Sequence, residues 1–214
     1  MTTKYYVSVS IPSGIQYRII RRRDNVLALY GFNLIELYRK KYISPNLHWT
    51  IKAPFEVHDQ QQYHAFKTLL LGELCTVRNP MITITGLYPP FGHWTKENLQ
   101  KSGQEVPIHT FGLQIRCPGI GENLRDFQSM LTMNCFFDQA ENYTPSEQWG
   151  NPHISIMTNM QDMPLEKAWE LYDSMRKVFS GNNYYFEVDA LVVQKKVPGE
   201  AWTIAEHIPI PSFN

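Results

Sequence analysis

The chain has few of the features that staple a small protein together. It has three cysteines in 214 residues, Cys75, Cys117 and Cys135. The count is odd and no C-x-x-C pair occurs, which argues against a disulfide framework and against a zinc framework. Bystander thiols in a reducing compartment are the expectation. An excess of charge of one sign is also missing. Lys plus Arg is 20 and Asp plus Glu is 20, so the formal charge is zero. A protein that neutralises the phosphates of a long duplex carries a basic excess. A nucleic-acid ligand here is therefore short or contacted locally. No apolar run approaches the length of a bilayer span, and Met1 to Tyr6 leads into Val7-Ser8-Val9-Ser10-Ile11 instead of the apolar core of a signal peptide. The expected setting is a cytoplasmic, soluble monomer with no membrane partner. No Ser/Gly linker or low-complexity tract divides the sequence, so residues 1–214 read as a single domain.

Apolar side chains are plentiful: 43% of residues are hydrophobic and 13% aromatic. That suffices for a packed core and excludes a disordered chain. Lys4 to Ile11 reads as a strand, stopped by Pro12-Ser13-Gly14. The basic stretch of Arg18 and Arg21-Arg22-Arg23 reads as a solvated face. Helical spacing of Val26, Leu27, Tyr30, Leu34, Leu37 and Tyr38 predicts a helix from Val26 to Lys41, with Gly31 in its middle. A strand at His109 to Cys117 and a helix from about Glu122 to Met133 are expected further on. The polar, breaker-rich segment from Phe91 to Pro107 reads as a long surface loop.

One pattern runs twice. Leu47–Ile51 is a short β-type run, followed by a helical segment from about Asp59 to Leu74 and a strand from Met81 to Leu87. His153–Met157 is again a short β-type run. A helix follows from Pro164 to Phe179, with proline at a plausible first helical position, then a strand from Tyr184 to Gln194. Ala201 to Ile210 is read as a closing strand. The offsets from each histidine to the start of the later strand nearly agree, 81 − 48 = 33 and 184 − 153 = 31 residues. The expectation is an α+β protein of two similar β-α-β lobes facing one another.

The two short runs contain the same tetrad, His48-Trp49-Thr50-Ile51 and His153-Ile154-Ser155-Ile156. Side chains alternate faces along a strand. His48 and Thr50 therefore share one face, as do His153 and Ser155, while Trp49, Ile51, Ile154 and Ile156 face apolar packing. If the lobes face each other, two imidazoles and two hydroxyls converge. That set suits phosphodiester chemistry without a metal. A neutral imidazole takes a proton from the attacking oxygen, and a protonated one gives a proton to the leaving oxygen. Thr50 and Ser155 donate to the non-bridging oxygens, where negative charge grows. A third match by residue type, His93-Trp94-Thr95, is followed by Lys96 instead of an aliphatic residue and has a loop-like context, so it is set aside as a decoy. Secondary expectations concern the substrate. Lys52, four residues beyond His48, shares the catalytic face in an unbroken strand and could meet a phosphate. Phe55, Tyr143 and Trp149 are candidates for stacking on a base. No H-x-x-x-H pair or carboxylate cluster sits at ligand spacing, so no metal and no cofactor are expected.

These residues resemble the 2H phosphoesterase superfamily, which includes the 2′-5′ RNA ligase (LigT-like) and cyclic phosphodiesterase proteins. The resemblance covers nearly the whole chain. Tyr5–Ile11 sits where that family starts, His48-Trp49-Thr50-Ile51 with Pro54-Phe55 matches its first motif region, and Asn151 to Ile156 matches the second. Phe186 to Val193 and Trp202 to Ala205 resemble its C-terminal strands. The resemblance implies a bilobal fold with mainly antiparallel sheets around a central groove, and metal-independent action on 2′-5′ linkages or 2′,3′-cyclic phosphates of a short RNA or nucleotide. It carries the catalytic roles onto His48, Thr50, His153 and Ser155. A groove that binds RNA or a nucleotide without turnover is the main alternative, and some members of the superfamily antagonise cyclic or 2′-5′ oligonucleotide immune signals.

Overall fold

The computed structural model describes residues 2–89, 108–119, 121–134 and 152–211. The expected loop at Phe91 to Pro107, the decoy tetrad at His93, and the candidates Tyr143 and Trp149 lie outside the described residues.

Eight strands form one sheet: β1 (Thr3–Ser10), β2 (His48–Val57), β3 (Met81–Leu87), β4 (Phe111–Arg116), β5 (His153–Met157), β6 (Tyr184–Glu187), β7 (Ala190–Lys196) and β8 (Thr203–Pro209). Their spatial order is β6-β3-β4-β5-β2-β1-β7-β8, and every strand pair is antiparallel. The helices are α1 (Ser13–Leu29), α2 (Leu34–Arg39), α3 (Gln60–Leu74), α4 (Leu124–Asn134) and α5 (Leu165–Phe179). The fold is α+β with a large, antiparallel sheet.

The sheet divides into two halves. One is β2-β1-β7-β8 and the other β5-β4-β3-β6, each written from the seam outward. At the seam β2 and β5 register through a single residue pair, Trp49 with Ile154, whereas β1 pairs with β2 over most of its length. The two β-α-β units expected from the sequence do not close on themselves. After α3, the chain leaves β2 and adds β3 to the other half. After β5 and α5, it lays β6 on the far edge of its own half and then crosses to place β7 beside β1.

The helices are interleaved in the same way. Helix α4 joins β4 to β5, yet it packs against β2 and α3 of the opposite half. Helix α1 joins β1 to β2, yet it packs against α5, which lies on β3. Burial explains the arrangement. Val7, Val9, Trp49, Ile51, Ile84, Leu113, Ile115, Ile154 and Ile156 alternate along their strands and are nearly fully buried. They turn one face of the sheet into an apolar surface that Ile19 and Leu27 of α1, Phe66 and Leu70 of α3, Phe127 of α4 and Leu171 of α5 join. The other face carries the polar members of the same alternation.

Two elements differ from expectation for identifiable reasons. The helix read as Val26 to Lys41 is two helices. Helix α1 begins earlier, at Ser13, and the basic stretch lies inside it. It ends at Gly31, which has φ +72° and lies outside the right-handed helical region. The Gly31 amide bonds the Ala28 carbonyl and the Phe32 amide bonds the Leu27 carbonyl, the paired closure of a helix C-terminus in which glycine takes the left-handed position. The strand read as Tyr184 to Gln194 breaks at Val188-Asp189, where the chain passes between halves. The Val188 amide bonds the Pro80 carbonyl and the Asp189 carbonyl accepts from the Ile210 amide, so these two groups have partners outside the strand ladders.

Candidate active site

His48 opens β2 and His153 opens β5. Around each, the alternation is as the tetrads require: His48 and Thr50 are half-buried between buried Trp49 and Ile51, and His153 and Ser155 are half-buried between buried Ile154 and Ile156. Trp49 pairs antiparallel with Ile154. Extending that register one residue either way sets His48 across from Ser155 and Thr50 across from His153. Side chains directly opposed on one face of an antiparallel pair have Cβ atoms about 5 Å apart. The four side chains are thus on the sheet face turned away from the helices, and in that register each histidine is level with the hydroxyl residue of the other tetrad.

The surroundings of His48 set its state. Its Nδ1 lies 3.3 Å from the Asn46 carbonyl. A carbonyl oxygen only accepts, so this contact requires the hydrogen on Nδ1 and leaves the Nε2 lone pair outward. Burial pushes the His48 pKa below its ordinary value, against a smaller upward pull from the Asn46 carbonyl. The ring also meets Tyr6 of β1, with centroids 5.9 Å apart, and Tyr6 meets the edge of Trp202 at 4.8 Å. Ser10 and Ser8, which pair with His48 and Thr50, are small, so the Tyr6 ring reaches back over β1 toward the imidazole. On the opposite side, Gln114 of β4 pairs with His153. The Thr85 hydroxyl donates to Gln114 Oε1 at 3.0 Å. Tyr6, Trp202 and Gln114 were not singled out in the sequence. The alternation Lys4-Tyr6-Ser8-Ser10 would have put Tyr6 on the face of the strand opposite Val7 and Val9, but nothing local tells that β1 lies beside β2.

Lys52 and Phe55 do not join this face. Ser8 pairs with Thr50 and Val7 with Lys52, so Ile51 and Lys52 together oppose Val7. That is a bulge, and it re-aims the side chains that follow. Lys52 is fully buried, with its Nζ 5.8 Å from the centre of the Phe55 ring, and Phe55 packs in the core against Phe66 of α3. The Thr50 carbonyl accepts from Gln128 Nε2 of α4 at 3.1 Å. His58 and His64 are exposed. Cys75 is exposed, and burial pushes the Cys117 thiol up to about 11, which keeps it protonated at neutral pH.

Solved structures with this arrangement exist. TT0787 of Thermus thermophilus superposes with a TM-score of 0.56 at 12% identity, over 99% of this chain and 100% of its own. Usb1 of Kluyveromyces marxianus, solved with uridine monophosphate, gives 0.51 at 10% identity, over 97% of both chains. The chain shares its fold with both. No family model matches the sequence, and no curated protein does. At such identities the likeness extends to the fold, and the side chains themselves carry the chemistry. Among the described residues no group of three or more His, Cys, Asp or Glu could hold a metal ion, and no helix is long and apolar enough to cross a membrane.

Proposed function

We propose that the chain is a metal-independent phosphodiesterase of the 2H type, acting on short RNA or nucleotides that carry a 2′-5′ linkage or a 2′,3′-cyclic phosphate. The observation that carries this reading is the seam. Two His-x-hydroxyl tetrads share one face of the sheet, centred on the Trp49–Ile154 pair, and extending that register sets each histidine level with the other tetrad's hydroxyl residue. The 2H fold, and a neighbour solved with a nucleotide, support the same class of substrate.

In this reading His48 is the base. Its burial favours the neutral form, and the Asn46 carbonyl leaves Nε2 free to accept a proton. With a cyclic phosphate, His48 takes a proton from water as the water oxygen bonds to phosphorus. The P–O bond to one ribose oxygen breaks, and His153 protonates that oxygen. With a 2′-5′ linkage, the neighbouring 3′-hydroxyl attacks instead and the 5′-oxygen leaves, giving a cyclic end. Reversal of that step is ligation. Thr50 and Ser155 donate hydrogen bonds to the non-bridging oxygens from opposite sides of the seam. The Tyr6–Trp202 pair beside His48 offers an aromatic surface for the base of the reacting nucleotide.

The test compares wild type with His48→Ala and His153→Ala in EDTA, on 2′,3′-cyclic AMP, a 2′-5′ triadenylate and its 3′-5′ isomer. Turnover of one of the first two by wild type alone is expected. Binding of the 2′-5′ compound without cleavage by wild type would turn the reading to a nucleotide-binding groove.

A further inference from the structure

On the half that contains His153, the polar face of the sheet runs outward in rows set by register. Arg116 of β4 pairs with Thr83 of β3, and Thr83 pairs with Tyr185 of β6. Their neighbours Ile115, Ile84 and Tyr184 form the matching row on the helix side and are buried. Arg116 and Tyr185 therefore stand on the same face as His153, and both are exposed, Tyr185 by 63%. Three strand spacings separate β5 from β6, about 14 Å. β6 is the edge of the sheet, and cations continue around it. Arg18 and Arg22 of α1 lie 5.3 and 5.7 Å from the Tyr184 ring centre, and Arg22 also bonds the Tyr184 hydroxyl. None of Arg18, Arg22 and Arg116 has a carboxylate partner among the described residues. In a chain of zero formal charge this places unneutralised guanidinium groups on both sides of the β6 edge, with an exposed aromatic ring beside it.

We propose that this surface is a track for single-stranded RNA beyond the reacting nucleotide. It leads from His153 past Arg116 and Tyr185, over the β6 edge, to Arg18 and Arg22. The proposal deepens the phosphodiesterase reading and rests on it for the position of the reacting phosphate. Guanidinium groups bind successive phosphates, and the exposed ring stacks a base without regard to sequence. Glu187, two residues beyond Tyr185 on the same face, is the one acidic side chain of that face among the described residues of β3 to β6, and it bounds the track. The substrate is then an oligonucleotide, with a cyclic mononucleotide occupying only the seam.

The experiment uses the full chain in EDTA and two ligands, 2′,3′-cyclic AMP and a hexa-adenylate with a 2′,3′-cyclic end. The variants are Arg116→Glu, Tyr185→Ala and Arg18→Glu. Affinity for the hexamer is read by fluorescence anisotropy in a His48→Ala background, and KM is read with wild-type histidines. Each variant should weaken hexamer binding by about tenfold, or about 1.4 kcal/mol. KM for the cyclic mononucleotide should stay within about twofold. Each arginine variant should also lower the salt dependence of hexamer binding by about 0.7 in the log–log slope. Equal losses for both ligands, or hexamer affinity unchanged in all three variants, would overturn the track. Wild-type protein that binds the hexamer through these residues but cleaves neither ligand would sink the hydrolase reading and leave the track standing.

Discussion

Burial makes the imidazolium form of His48 costly, and the Asn46 carbonyl fixes which nitrogen faces the substrate. Both effects appear in solution as a titration. The ascending limb of kcat/KM against pH, set by His48 in the free protein, should fall below the ordinary imidazole value of about 6.5. An NMR titration of the His48 ring checks the same value directly. The shift also has a consequence for stability. The unfolded chain takes up this proton near pH 6.5 and the folded chain only at lower pH. Stability from this group is therefore full above about 6.5 and declines as the pH falls toward the folded-state value. Urea midpoints across that interval should fall less steeply for His48→Gln than for wild type. The hydroxyls have their own signature. Thr50→Val and Ser155→Ala should each lower kcat by about 10²-fold or more, the usual cost of one donor to a developing oxyanion, with smaller changes in KM. The placement of residues on the faces of their strands was the most legible part of this sequence. Two tetrads in matched frames specified which four side chains share a face, because strand alternation depends only on local geometry.

At the level of elements, legibility ended where pairing partners decided the outcome. Nothing in Thr50-Ile51-Lys52 announces a bulge. It exists because Val7 meets two residues of β2, and it turns Lys52 away from the face of His48 and into the core. Likewise, Tyr184 to Gln194 reads as one strand because its apolar residues are continuous, and only pairing with β3 and β1 shows that it is two. The bulge leaves a carbonyl that α4 must satisfy. Gln128→Leu removes the donor to the Thr50 carbonyl and should cost about 1–3 kcal/mol in urea unfolding. Helix α1 supplies a second tie. Arg23 is fully buried and donates to Asp24, to the Ser44 and Ile156 carbonyls and to the Tyr38 hydroxyl. It thereby joins the loop before His48 to the strand of His153. Arg23→Met strands these acceptors and should destabilise by about 3–5 kcal/mol, measured the same way.

For the whole molecule, the interleaving means that neither half of the sheet is covered by its own helices alone: α3 lies on β2 and α5 on β3, and each is joined by a helix from the other half. Helix α4, from the half of β4 and β5, lies on β2 beside α3, and α1, from the half of β1 and β2, packs against α5 over β3. Calorimetric unfolding should therefore be a single transition whose van't Hoff and calorimetric enthalpies agree. Two separate transitions would mean that the halves are independent domains. A chain cut between β3 and β4 bears on the same point. Each fragment would expose an apolar sheet face and strands without neighbours, and would stay unfolded or aggregate on its own. Mixed, the two would complete each other's sheets, and His48 would meet Ser155 only on reassembly. The architecture thus lends itself to fragment complementation, with recovered turnover reporting that two separately made chains have found each other.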